Sequence, residues 1–168
     1  HSDATFRVRA TKLFGKVDPN RAKVIARYAG VAKLKGNAED GAFLFKANCA
    51  VCHRFKNQGN PVGPDPALFA AKPTADWLIA ILDPNRAVED KYVGYVIITR
   101  GAAAHTGVIT AETPTSLTLR TAIGAEQIIL RANIKTLQST GQSLMPPGLE
   151  VALPPAAMAD LLAYLRGE

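Results

Sequence analysis

Apolar residues set the first rhythm of the chain. Val24, Ile25, Tyr28, Val31 and Ala32 recur at three- and four-residue intervals among Arg21, Lys23, Arg27 and Lys33, which predicts a helix. Asp18-Pro19 is its expected start and Lys35-Gly36-Asn37 its end. A second helix is expected from Asn37, with Glu39 and Asp40 in the first turn, through Gly41, Leu44, Phe45 and Asn48. After His53, Gln58-Gly59-Asn60-Pro61-Val62-Gly63-Pro64-Asp65-Pro66 is dense in turn residues. A short helix from Thr74 to Leu82 carries the only tryptophan, Trp77, and stops at Asp83-Pro84.

From Tyr92 to about Leu137 the period falls to two. The runs Tyr92–Thr99, Thr106–Thr110, Ser116–Thr121 and Gln127–Arg131 alternate and are β-branched, which predicts a small antiparallel meander. The last element, Pro155–Arg166, places Met158, Leu161, Leu162 and Leu165 on one helical face, with Gly167 beyond it. The order helical, β, helical reads as a mainly α fold with a β insertion at about 92–137.

Among 168 residues, hydrophobic content of 48% and charged content of 20% are those of a folded chain, not a disordered tail. Lys and Arg number 20 against 14 Asp and Glu, a formal net charge of +6. Nine of the basic residues lie within residues 1–36 beside only Asp3 and Asp18, so the excess belongs to a basic N-terminal helical extension. No nucleic-acid-reading motif accompanies it, and no nucleic-acid partner is expected. No apolar run reaches the roughly 20 residues that span a bilayer. His1-Ser2-Asp3-Ala4 shows no secretory leader, as expected if one was removed or the chain is part of a longer protein.

Cys49-Ala50-Val51-Cys52-His53 is a C-x-x-C-H sequence, the pattern of c-type haem attachment. Cysteines three apart on a helical turn share a face, so both sulfurs can reach one haem edge as thioethers, and the next residue can bring an imidazole to the iron. A thioredoxin-like redox pair would need a βαβ context. A zinc site needs four ligands, yet the chain has no further cysteine and only His1 and His105 as other histidines. The expected cofactor is therefore one haem c, covalent through Cys49 and Cys52, with His53 on the metal.

A second axial ligand has few candidates. Met145 lies in Ser143-Leu144-Met145-Pro146-Pro147-Gly148, where two prolines stiffen a loop, whereas Met158 falls on an apolar helical stripe. His105 competes but falls at an expected β-turn tip. Met145 is the expected ligand. A ligating imidazole donates its other N–H to a fixed acceptor, and Pro64 could supply that carbonyl; a simple surface turn is the equal alternative.

These features together resemble a class I cytochrome c. Gly41-Ala42-Phe43-Leu44-Phe45 leading to Cys49–His53 resembles the family's first helix, Gly63-Pro64 through Leu68 its proximal loop, Met145-Pro146 its distal loop, and Asp160–Leu165 its last helix. The resemblance covers residues 37–168 apart from the β insert, and implies a cytochrome c fold in which Gly41 packs against Tyr164. Ala80-Ile81-Leu82-Asp83-Pro84-Asn85-Arg86, Tyr92–Tyr95 and Ser143–Leu149 are similar to the haem-binding domain at the ends of multidomain proteins of planctomycete and verrucomicrobial type.

That resemblance implies a monohaem electron carrier, not an enzyme in itself, fed by a redox partner or fused dehydrogenase domain, in the periplasm or cell envelope. It implies a haem pocket walled by Phe45, Leu68, Trp77, Leu82 and Leu144, with the Trp77 indole either donating to a propionate or filling core. The β insert is expected to be structural, thickening the distal wall, with a docking surface as the alternative. The rival reading is a haem domain with a labile sixth ligand, acting as a gas sensor or peroxidase.

Overall fold

The computed structural model describes residues 20–168. Among them, four helices, α1 (Arg21–Arg27), α2 (Ala38–Asn48), α3 (Thr74–Leu82) and α4 (Pro155–Arg166), flank five strands, with short 3-10 turns between elements. The strands, all between α3 and α4, are β1 (Val93–Thr99), β2 (Ala104–Glu112), β3 (Ser116–Arg120), β4 (Glu126–Leu130) and β5 (Ile134–Ser143). The described chain divides into two compact units, one of residues 20–44, 71–84 and 146–168, the other of residues 45–70 and 85–145.

The first unit is helical. Asn20 caps α1, its side chain accepting from Lys23 N at 3.0 Å; the expected start at Asp18-Pro19 lies outside the described residues. The helix expected to continue to Lys35 ends at Arg27 and resumes after Tyr28 as a 3-10 turn, Ala29–Lys33. Gly30 lies in that turn, where its low helix propensity costs least. The tighter winding keeps Val24, Tyr28 and Val31 buried, and the Tyr28 hydroxyl donates to Leu153 O at 2.7 Å.

The apolar stripe of α4 is buried through Met158, Leu161, Leu162 and Leu165. On its other shoulder Gly41 of α2 meets α4 so closely that a Cβ there would lie 2.7 Å from Tyr164 Cβ and against the Asp160 backbone. Asn37 N donates to Asp160 Oδ1 at 2.8 Å, fixing the start of α2 against the same turn of α4.

The second unit overturns the expectation of a mainly α fold. Its sheet has five antiparallel strands in the order β4-β3-β2-β1-β5 and a core of its own. Ile97, Leu117, Leu119 and Ile129 are buried together, with Tyr95, Ile109 and Ile134 packed on them. Every member of this cluster comes from the sheet, so the sheet supplies its own covering layer.

The strand missing from the four-strand expectation is β5. Nearly all its residues are exposed, and Lys135, Thr136, Gln138, Ser139, Thr140 and Gln142 give it no apolar alternation. Backbone pairing with β1 holds it in place. Between the pairs Val93↔Ser143 and Tyr95↔Ser139, β1 advances two residues and β5 four. The surplus bulges at residues 140–142, and Thr140 Oγ1 donates back to Gly94 O at 2.9 Å. Beyond the bulge lies the Met145 segment.

Candidate haem attachment site

The last turn of α2 leads directly into the cysteine motif. Cys49 N donates to Phe45 O at 2.8 Å, and Cys52 N and His53 N both turn back to Cys49 O at 3.0 and 2.8 Å. The helical rise thus closes into a tight turn that gathers Cys49, Cys52 and His53. The following loop folds over it: Asn60 N bonds Ala50 O, and Val62 N and Gly63 N bond Cys52 O at 2.9 and 2.8 Å. Phe55 is buried beneath, edge-on to Phe45 with ring centroids 5.8 Å apart.

The imidazole of His53 is held by this loop. Its Nδ1 lies 2.7 Å from Pro64 O. A carbonyl can only accept, so Nδ1 carries the hydrogen and Nε2 keeps a lone pair. Gly63 lies flat against the ring: a Cβ there would come within 2.5 Å of Cε1 and 3.0 Å of Nε2.

Burial pushes the His53 pKa below its ordinary value, against the opposing pull of the Pro64 bond and Asp65. The ring is therefore neutral, the form that ligates a metal. Burial, then the neighbouring Cys52, pushes the Cys49 thiol up to about 12. Burial raises Cys52 as well. Both cysteines are free of disulfide and protonated at neutral pH.

The other candidate residues divide between the units. Pro64, Phe45, Leu68, Leu144 and Met145 belong to the same unit as the cysteine turn, and Trp77 and Leu82 to the other. Phe45, Trp77 and Leu82 are buried, Leu68 is 75% exposed, and Met145 and Leu144 are half-buried. Met145 N bonds Ser143 Oγ at 3.1 Å, and Ser143 N bonds Asn85 Oδ1 at 2.9 Å, so Asn85 anchors the root of the Met145 segment. His105 lies one residue inside β2, not in a turn tip, with Nδ1 2.6 Å from Gln127 Oε1.

Sequence reasoning missed Arg120 and Asn60. Arg120 Nη1 donates to Pro61 O at 2.5 Å, and Asn60 Nδ2 to Val51 O at 3.1 Å. Neither belongs to a motif, and only the turn-rich composition around Asn60 hinted at a structured loop.

A family model described as Cytochrome c matches residues 38–106, from α2 through the cysteine turn, α3 and β1 to the start of β2. The match supports a class I cytochrome c domain, a haem-binding domain of the electron-transfer class. It implies a covalent c-type haem, and Cys49 and Cys52 fit the C-x-x-C-H attachment motif. No curated protein matches the chain. The residues present fit such a group: two reduced thiols on one turn, a neutral imidazole with Nε2 uncommitted to Pro64, and a glycine where a side chain would displace the ring. Among the described residues no helix is long and apolar enough to cross a membrane, and no group of three or more His, Cys, Asp and Glu could hold a metal ion.

Proposed function

We propose that residues 37–168 act as a monohaem electron carrier with His53 and Met145 as axial ligands, fed by a dehydrogenase domain or partner protein and discharging to a separate acceptor. The observation that carries this reading is the 2.7 Å bond from His53 Nδ1 to Pro64 O beside two free thiols. Bound there, haem supplies a one-electron iron couple. The chain's residues do the rest. Cys49 and Cys52 fix the edge, Pro64 holds the imidazole in one tautomer and orientation, and Gly63 leaves it room. Met145 offers a soft thioether that favours Fe(II) and raises the potential relative to two histidines. An imidazole from His53 and a thioether from Met145, both committed to the metal, would leave it no place for a substrate, which separates a carrier from a sensor or peroxidase.

Leu68 and Leu144 offer apolar side chains to the porphyrin. The subtype proposed is the planctomycete and verrucomicrobial C-terminal haem-binding domain. Support comes from Asn85 of the Asp83-Pro84-Asn85-Arg86 segment holding Ser143 of the Ser143–Leu149 segment, so that two parts of the resembling pattern meet. Cell-envelope placement follows from the same resemblance and from the need to attach haem outside the cytoplasm.

The test is spectroscopic. Protein matured with haem-attachment machinery should show the weak sulfur-to-iron charge-transfer band when oxidised. Met145→Ala should abolish it and open the reduced form to carbon monoxide. A native protein that lacks the band and binds carbon monoxide at once is a sensor or peroxidase instead.

A further inference from the structure

The β3–β4 hairpin does more than close the sheet. Arg120, the last residue of β3, donates from Nη1 to Pro61 O at 2.5 Å. Its Nε and Nη2 both hold Glu126 Oε1, at 3.1 and 2.6 Å, so the guanidinium is locked from behind by the first residue of β4. Gly124 at the hairpin tip lies against the Asn60 side chain, where an added Cβ would be 2.9 Å from Asn60 Cβ and Cγ. Ala122 O lies 3.3 Å from Cys52 Sγ. Three residues of one hairpin thus touch Asn60, Pro61 and Cys52, and Pro61 is three residues from the carbonyl that orients His53.

We infer that Arg120 is a positioning residue for the proximal ligand: by holding Pro61 O it fixes the Pro61–Pro64 segment, and through it the strength of the His53–Pro64 hydrogen bond. The inference rests on His53 as an iron ligand. A firm bond to Nδ1–H increases the basicity of the imidazole and favours Fe(III). Loosening the segment weakens that bond and moves the potential upward. Loss of positive charge alone acts in the opposite direction, because a cation near the metal favours Fe(II). The sign separates the two effects.

The decisive variant is the double substitution Arg120→Met with Glu126→Gln in the haem-loaded protein, which removes the clamp and leaves the net charge unchanged. It should shift the one-electron equilibrium toward Fe(II) about threefold, about 28 mV at about 59 mV per tenfold. The amides of Val62 and Gly63, which bond Cys52 O, should exchange with solvent at least about tenfold faster, because that segment opens locally. Arg120→Lys, which keeps a donor for Pro61 O, should remain near the native values. Native potential and native exchange in the double variant overturn the inference, as does an equal shift in Arg120→Lys. Absence of the charge-transfer band from the unaltered protein strikes only the axial-ligand reading, and amide exchange then still decides whether Arg120 holds the loop.

Discussion

Arg21 and Glu150, 129 residues apart, form a two-pronged ion pair, with Nη1 to Oε1 at 3.0 Å and Nη2 to Oε2 at 2.7 Å. Arg21 Nε also donates to Leu82 O at 2.8 Å, so one guanidinium joins α1, the end of α3 and the turn before α4. The side chains are only 13% and 9% exposed, which places the pair well outside the range of weak surface bridges.

Removing one partner should be costly. Glu150→Gln leaves Arg21 poorly compensated and should lower stability by about 3 kcal/mol in a denaturant titration. Burial pushes the Glu150 carboxyl up, but the hydrogen bonds and charge of Arg21 outweigh this and hold it below its ordinary 4.5. A carboxyl depressed in the folded state contributes stability that is present above the unfolded pKa and lost as pH falls through the folded one. Stability should therefore drop in acid below about 4.5, and the Gln variant should lose part of that pH dependence.

Gly41 tests the contact between α2 and α4. Alanine in a helix interior gains about 1 kcal/mol over glycine. Against that, the new methyl would overlap the Asp160 backbone and lie 2.7 Å from Tyr164 Cβ. Backbone cannot yield as a flexible side chain does, and overpacking costs about 1–3 kcal/mol. Gly41→Ala should therefore lower the melting temperature; a rise would show that the two helices have slack between them.

Gly63→Ala should act on the His53 ring and not on the core. Its methyl would come within 2.5 Å of His53 Cε1, and the ring must turn or retreat, which breaks its alignment on Pro64 O. The expected result is loss of the native low-spin spectrum from a large fraction of the haem-loaded protein. A native spectrum would mean that the ring tolerates displacement.

The sequence exposed what is governed by local rules. C-x-x-C-H, the turn cluster from Gln58 to Pro66 and the stripe of Met158, Leu161, Leu162 and Leu165 each carry their signal in adjacent or helically spaced residues. Pro64 stood equally as an acceptor for His53 or as a simple surface turn, and only the 2.7 Å contact decides for the acceptor. The weight of the sheet was not legible, since β5 is a polar edge strand defined by its partner β1. Arg120 was hidden for a related reason. Its contact with Pro61 spans 59 residues, and an arginine ending a strand looks like any solvated charge until the partner carbonyl is known. The same holds for Asn85 and Ser143, 58 residues apart.

The bulge at residues 140–142 has a consequence for where Met145 stands. β5 runs on from its pairing with β1 into the Met145 segment, so its alignment works as a gauge. A strand advances about 3.4 Å per residue, and a slip of two would move the segment that follows, Met145 included, by about 7 Å. The station of Met145 along the sheet is thereby entrusted to main-chain pairing a few residues upstream.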